Sequence, residues 1–256
     1  MAEVKTKSVV RRVHKRRVCG CFTVLVFIII LVVLIVSGCH NNNDKGKKSS
    51  AVDVKVTEAT TEQEKDDKFL VCIDPGHGGD DPGSNYGDRL EMTDNLRYAK
   101  CVYDELSKRD GIEVMITRTD SKETLDSEER AKMANDAGAD LFLALHRNYS
   151  DDSSANGIEV WTNKDADAVD INLGYKLIDK LKVIGIQRDR GVHTGYTNEK
   201  QENFMIIEYT NMTSCILELG FISNDEDNYL FDKHYKEYSV AIADAVEEMR
   251  RDFFND

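Results

Sequence analysis

The apolar positions of this chain fall into three regimes. Val18 to Val36 is an unbroken run without charge, with FTVLVFIIILVVLIV at its heart. Residues 39–67 have no sustained apolar period and are rich in Asn, Ser, Thr, Lys and Glu, the composition of a flexible linker. From residue 68 onward, short apolar runs alternate with amphipathic stretches. Phe69–Ile73 predicts a buried strand. Leu90–Lys108 predicts a helix, because Met92, Leu96, Ala99, Tyr103 and Leu106 recur at spacings of three and four. Ile112–Thr117 predicts a strand and Glu123–Ala137 a helix stopped by Gly138. Leu141–Leu145 is apolar at every position, as in a strand covered on both faces. Ile158–Trp161 predicts a strand and Val169–Val183 a helix. Gly185–Asn203 is irregular, Phe204–Ile207 and Ser214–Leu217 predict strands, and Tyr235–Phe253 predicts a closing helix. The pattern is βαβα. It predicts one α/β domain over 68–256, a mostly parallel twisted sheet flanked by helices.

Composition changes the picture at the N-terminus. The first 38 residues hold seven Lys/Arg against one Glu, a net +6. The whole chain is −13, so the rest is −19. An acidic body excludes nucleic acid as a partner, since phosphate binding needs a basic surface. Residues 1–17 are polybasic and precede the apolar segment 18–38. Nineteen uncharged residues at ~1.5 Å rise span roughly 28 Å, the thickness of a bilayer core. A basic flank stays in the cytoplasm, so the remainder is expected outside. Two readings of 18–38 stand. It is an uncleaved transmembrane helix, or a lipoprotein signal cut before Cys39, because Val36-Ser37-Gly38-Cys39 resembles a lipoprotein processing site. Both tether the protein to the outer face of the membrane. Cys72, Cys101 and Cys215 sit in apolar surroundings without a Cys-x-x-Cys pair, as buried thiols do.

Candidate chemistry clusters after the first strand. Both prolines of the chain, Pro75 and Pro82, and four glycines surround His77 in Asp74-Pro-Gly-His-Gly-Gly-Asp-Asp-Pro-Gly83. Fixed φ and free φ together specify one loop path. A histidine so displayed is a metal ligand, a general base, or an incidental turn residue. Parallel strands share a carboxyl edge where ligands bind. His146 follows the apolar run Leu141–Leu145, and Glu218 follows Cys215-Ile216-Leu217. Glu91 opens the helix after the His77 loop. Two histidines, a carboxylate and an open position make a catalytic zinc site, and a second carboxylate can then act as general base. His146 read alone could equally be a core histidine, and Glu91 a helix N-terminal acid.

These residues stand among longer blocks. They are Asp74-Pro-Gly-His-Gly-Gly79, Glu91 with Asn95-Leu96, Thr117-Arg118-x-Asp120, Arg130 with Ala134-Asn135, Ala139-Asp140-Leu-Phe ahead of His146-Arg-Asn148, Gly157-Ile-Glu-Val160, and Leu217-Glu-Leu-Gly-Phe-Ile-Ser-Asn224. In this order they resemble the zinc-dependent N-acetylmuramoyl-L-alanine amidases, the catalytic domain of bacterial cell-division and sporulation hydrolases. The resemblance covers essentially all of 69–252. It implies that His77, Glu91 and His146 bind one zinc ion and that Glu218 is the catalytic acid/base. It implies hydrolysis of the amide between N-acetylmuramic acid and L-alanine of the peptidoglycan stem peptide. The competing readings are an inactive peptidoglycan-binding relative and a zinc peptidase acting within the stem peptide. Arg118 and Arg130 are expected to be structural, pairing with neighbouring acids. Two features depart from the family. Arg147 replaces a small residue beside His146, where a long cation could repel zinc or contact a stem-peptide carboxylate. The stretch Asn148–Asn156 is too short for the inserted helix that plugs the site in some relatives, so an open site without an obligatory activator is expected. His193 is expected to be solvent-facing or to act behind the site.

Overall fold

The computed structural model describes residues 68–195 and 204–254. The basic segment 1–17, the apolar segment 18–38 and the linker 39–67 lie outside them. Among the described residues no helix is long and apolar enough to cross a membrane.

The domain starts with strand β1 (Phe69–Pro75), followed by a small hairpin, β2 (Asn85–Tyr86) and β3 (Arg89–Leu90). Helix α1 (Glu91–Leu106) leads to β4 (Ile112–Ile116), α2 (Ser127–Ala137) and β5 (Leu141–Asn148). Then come β6 (Ile158–Thr162), α3 (Ala168–Ile184), β7 (Asp189–Thr194), the one-turn helix α4 (Met205–Glu208), β8 (Thr213–Phe221) and the long α5 (Asp225–Phe253). The six long strands form one sheet in the order β4-β1-β5-β8-β6-β7. Every pairing is parallel except β6 with β8. The expected mostly parallel α/β sheet is thus present, with one antiparallel step.

Strand periodicity sorts the core into two layers. Val71, Ile73, Leu141, Leu143, Leu145, Cys215 and Leu217 pack in one cluster with residues of α1, α3 and α5. Cys72, Phe142, Ala144, Trp161 and Ile216 pack on the other face with Ala134 of α2 and Ile206 and Ile207 of α4. Most of these side chains are fully buried, each contributing about 1.5–3 kcal/mol when large. Cys72 and Cys215 are buried free thiols, as expected, and Cys101 is a half-buried one. Burial pushes both buried thiols far above their ordinary range.

The structure departs from the apolar pattern in five places. The α2 helix begins at Ser127 rather than Glu123, because Asp126 caps it and exchanges hydrogen bonds with Glu129 in a capping box. The long α5 begins at Asp225, ten residues before the stripe, because Asn224 caps it and three acids fill its first turn. Phe204–Ile207 is not a strand. Ile206 and Ile207 anchor a single helical turn against the second core layer. The irregular stretch after Gly185 contains β7, an edge strand whose residues are half-buried or exposed and so carry no apolar signature. Finally, β5 and β8 run on past their apolar cores to Asn148 and Phe221. His146 and Glu218 therefore lie within strands, not after them.

Candidate active site

Three strands deliver the site, because β1, β5 and β8 are parallel neighbours with a common carboxyl end. His146 is paired with Glu218 across β5 and β8, and Glu218 with Glu159 across β6. The alternation that puts Phe142 and Ala144 on the α2/α4 face puts His146 there too, and that of β8 does the same for Glu218. The loop after β1 brings His77, and the first residue of α1 brings Glu91.

Glu91 is the centre of this arrangement. His77 Nε2 and His146 Nδ1 lie 3.2 and 3.1 Å from Glu91 Oε1. The same oxygen accepts from the Arg147 N–H at 3.1 Å and from Asn95 Nδ2 at 3.3 Å, while Oε2 accepts from the Ser84 N–H at 2.9 Å. Burial works to raise the Glu91 pKa, but the bonds to His146 and His77 outweigh it and hold the carboxyl well below its usual range. For His77, burial works against charge. Glu91 and then Asp81 prevail and lift it to about 9. Asp81 Oδ2 is 2.7 Å from His77 Nδ1, which fixes the ring and aims Nε2 inward. This buttress is absent from the sequence reading. Its signal was the i, i+4 spacing within the turn, where Asp81 also accepts from the Gly83 N–H at 3.0 Å.

The loop itself is tightly held. His77 is the one described non-glycine residue at positive φ, 63°, a conformation kept only where surroundings over-determine it. Arg118 supplies that restraint. It donates to the carbonyls of Pro75 at 3.0 Å, Gly76 at 2.9 Å and Met92 at 2.9 Å. The expectation that Arg118 pairs with acids is therefore corrected, since backbone carbonyls, two of them in the His77 loop, are what its fork meets. Arg130 does pair with an acid. Its Nη1 is 2.6 Å from Asp74 Oδ2, and Thr117 Oγ1 donates to Asp74 Oδ1 at 2.6 Å. Asp74 is fully buried, and 56 residues separate it from Arg130, so spacing alone could not reveal the pair.

Arg147 is the larger correction. It sits on β5 one position after His146, so its side chain takes the opposite face. There it is fully buried, 2.9 Å from Asp94 Oδ2, 2.7 Å from Asn228 Oδ1, and stacked on Phe231 at 4.3 Å. Burial lowers its pKa to about 10, still a cation at neutral pH. The guanidinium neither faces the cleft nor repels a metal there. Only the Arg147 backbone reaches the site, through its bond to Glu91.

His77, Glu91 and His146 can each offer a ligand atom within 4.8 Å of the others. Two imidazoles and a carboxylate are the donor set of a hydrolytic zinc centre, and the Asp81 contact to His77 is the usual support of a ligating histidine. Two buried atoms in this cleft, His146 Nε2 and Glu218 Oε2, have no hydrogen-bond partner among the described residues. Burial foremost, then the like charges of Glu91 and Glu159, push the Glu218 pKa well above its ordinary value. A cation at Glu91 would relieve part of that repulsion. The residues present thus fit a divalent metal. The cleft is about 420 Å³ and is lined also by Tyr149, Phe204 and Met205. Residues 149–157 beside it form turns without a helix.

Close backbone approach is a condition of this geometry. A Cβ on Gly76 would sit 2.2 Å from His146 Nε2. Gly76→Ala is expected to turn the ring and weaken any divalent-metal binding at this cluster about 10–100-fold. Competition with a chromophoric chelator measures this, with far-UV circular dichroism as the check that the fold persists. Metal affinity equal to wild type would mean that the ring has room to adjust.

His193 stacks on Trp161 at 4.5 Å and lies 3.8 Å from Glu159 Oε2. It is not one of the three clustered residues.

Residues 71–248 match the family model described as N-acetylmuramoyl-L-alanine amidase. The chain is 35% identical over 158 residues to N-acetylmuramoyl-L-alanine amidase LytC of Bacillus subtilis, covering 61% of this chain and 30% of LytC. It therefore spans less than a third of that relative. Among solved structures, an N-acetylmuramoyl-L-alanine amidase from Clostridium difficile 630 superposes with a TM-score of 0.66 at 28% identity, covering 74% of this chain and 100% of that one. The catalytic domain of CwlV, an amidase of Bacillus (Paenibacillus) polymyxa var. colistinus, superposes with a TM-score of 0.63 at 30% identity, covering 72% of this chain and 98% of that one. With the family match spanning more than half its length, this chain belongs to the N-acetylmuramoyl-L-alanine amidase family.

Proposed function

We propose that this protein hydrolyses the amide joining the lactyl group of N-acetylmuramic acid to L-alanine of the peptidoglycan stem peptide. The observation that carries the reading is the convergence of His77, Glu91 and His146 within 4.8 Å, with Glu218 paired beside His146 on the next strand. In this reading His77, Glu91 and His146 hold one zinc ion. Bound there, zinc would supply Lewis acidity for a carbonyl and for water near neutral pH. Glu218 takes a proton at Oε2 and returns it to the leaving amine of L-alanine. Its raised pKa suits a group that must hold the proton between the two transfers. Asp81 keeps the His77 ring in place, and Arg118 keeps the loop.

We further place the catalytic domain, 68–256, on the outer side of the bacterial membrane. The polybasic 1–17 and the apolar 18–38 support a tether there, by a transmembrane helix or a lipidated Cys39, with 39–67 as linker. The turns of residues 149–157 support a site that works without an activator.

Incubation of residues 68–256 with purified peptidoglycan tests the reaction. Mass spectrometry is expected to find free stem peptides beginning at L-alanine. A strong chelator should abolish their release, and added zinc should restore it. Cleavage inside the stem peptide would move the substrate assignment to the peptidase reading. Tight binding to an intact wall would make the protein an inactive relative.

A further inference from the structure

A second cavity, about 470 Å³, lies beside the catalytic cleft. The two share Asn148 and Tyr149 as a common wall. Its floor is a built polar network on Glu159, which is 5% exposed. Glu159 accepts from Asn148 Nδ2 at 2.7 Å, Trp161 Nε1 at 3.1 Å and Arg190 Nε at 2.7 Å. Three donors from β5, β6 and β7 thus satisfy one carboxylate, and Arg190 is held further by lying 4.9 Å over the Phe221 ring.

The charged residues lining this cavity balance, Arg188 and Arg190 against Glu159 and Asp189, so their pairing decides what is left for a ligand. Glu159 is neutralised by Arg190. Asp189 is engaged by Lys182 Nζ at 3.0 Å, a cation that also lies 3.8 Å from Asp179, and by the Gly191 N–H at 2.9 Å. Arg188 lines the cavity, is exposed, and its guanidinium has no acid partner among the described residues. In a chain of net charge −13, this ligand-sized hollow keeps one uncommitted guanidinium. Guanidinium groups at a pocket rim are suited to planar carboxylates.

We propose that this cavity is the subsite for a free carboxylate of the stem peptide, held by Arg188 with the outer edge of Arg190. The proposal rests on the amidase reading for the identity of the substrate. Of the two halves of that substrate, the N-acetylated glycan carries no charge once its lactyl group is amidated, whereas the peptide carries carboxylates. The peptide half therefore runs from the cleft over Tyr149, and the glycan half lies away from β7. Arg147, buried on the opposite face, takes no part.

The test uses the full-length protein in detergent with zinc and two soluble muramoyl peptides of equal length. One has free peptide carboxylates, the other has them amidated. Wild type is expected to prefer the acid form, and Arg188→Ala to reduce that ratio of kcat/KM about tenfold, the worth of one charge-assisted hydrogen bond. Arg188→Glu should reverse the preference and Arg188→Lys restore part of it. Because Arg188 is exposed and its guanidinium makes no ion pair among the described residues, the variants should melt as wild type does. An unchanged ratio in Arg188→Ala and Arg188→Glu would overturn the proposal. In parallel, the cleaved stem peptide is titrated calorimetrically into wild type and Arg188→Ala, with about tenfold weaker binding expected for the variant. If neither substrate is cleaved, the amidase reading fails, and the titration alone decides the cavity. Equal peptide affinity in both proteins then rejects it as well.

Discussion

Glu218→Gln should reduce peptidoglycan hydrolysis on the order of 10²–10⁴-fold, the usual worth of a positioned acid/base, while leaving zinc affinity within about threefold of wild type. The side chain is near-isosteric and none of the three clustered residues changes. What disappears is the proposed proton carrier. The same substitution should stabilise the metal-free protein at neutral pH. Glu218 Oε2 is buried without a partner, and burial with the Glu91 and Glu159 charges raises its pKa above the ordinary 4.5. A carboxyl with a raised folded-state pKa is most favourable to the fold below its unfolded value. Its contribution is lost as pH rises through the folded value. Glutamine removes that loss. The gain should be present at pH 7, shrink as the pH falls towards about 4.5 and be absent below it. Thermal melts of both proteins across this range, beside single-turnover assays, measure the two effects. Retained hydrolysis in Glu218→Gln would exclude the acid/base role. Lost zinc together with lost hydrolysis would instead make Glu218 a ligand.

Arg147→Ala should act in the opposite sense, on stability rather than chemistry. Its side chain is fully buried between Asp94, Asn228 and the Phe231 ring. Removal opens a cavity and strips Asn228 of a bond. Asp94 keeps Arg89, whose Nε is 2.5 Å away, so no carboxylate is left wholly unpaired. The cost is therefore at the lower end for a broken buried pair, about 3 kcal/mol, or roughly 10 °C in Tm for a domain of this size. Arg147→Lys should lose less, since it keeps the charge but not the planar stack on Phe231. At temperatures well below the melt, kcat/KM should stay within about threefold of wild type. The indirect route through the Arg147 N–H to Glu91 survives both changes, because it is backbone. A fall in kcat/KM at unchanged Tm would mean that the guanidinium meets the substrate after all.

Arg147 also measures how far the sequence could be read. Period-two alternation along Leu141–Asn148 already assigns His146 to one face and Arg147 to the other. Ending the strand at Leu145, where the apolar run stops, hid this. Polar residues continue a strand when a neighbour supplies the ladder, and β8 pairs with β5 through His146. The helix starts failed for a related reason. Asp126 and Asn224 set them through caps, whereas apolar stripes report only the buried middle of a helix. Phe204–Ile207 is too short for either period to be decisive, and contact with the second core layer made it a turn of helix.

By itself the sequence determined the order of elements, the mostly parallel sheet, the glycine-walled loop around His77 and the residue types at the strand ends. These are local matters of backbone freedom, period and burial, and they are written in neighbouring residues. The tertiary structure decided what meets what. Glu91 is 55 residues from His146, Arg130 is 56 from Asp74, and Asn228 is 81 from Arg147. No local pattern spans such separations. They are closed by the strand order β1-β5-β8, whose backbone ladders fix register to one residue. A shift of one residue would exchange His146 for Arg147 on the cleft face and leave a cation where His77, Glu91 and His146 now converge.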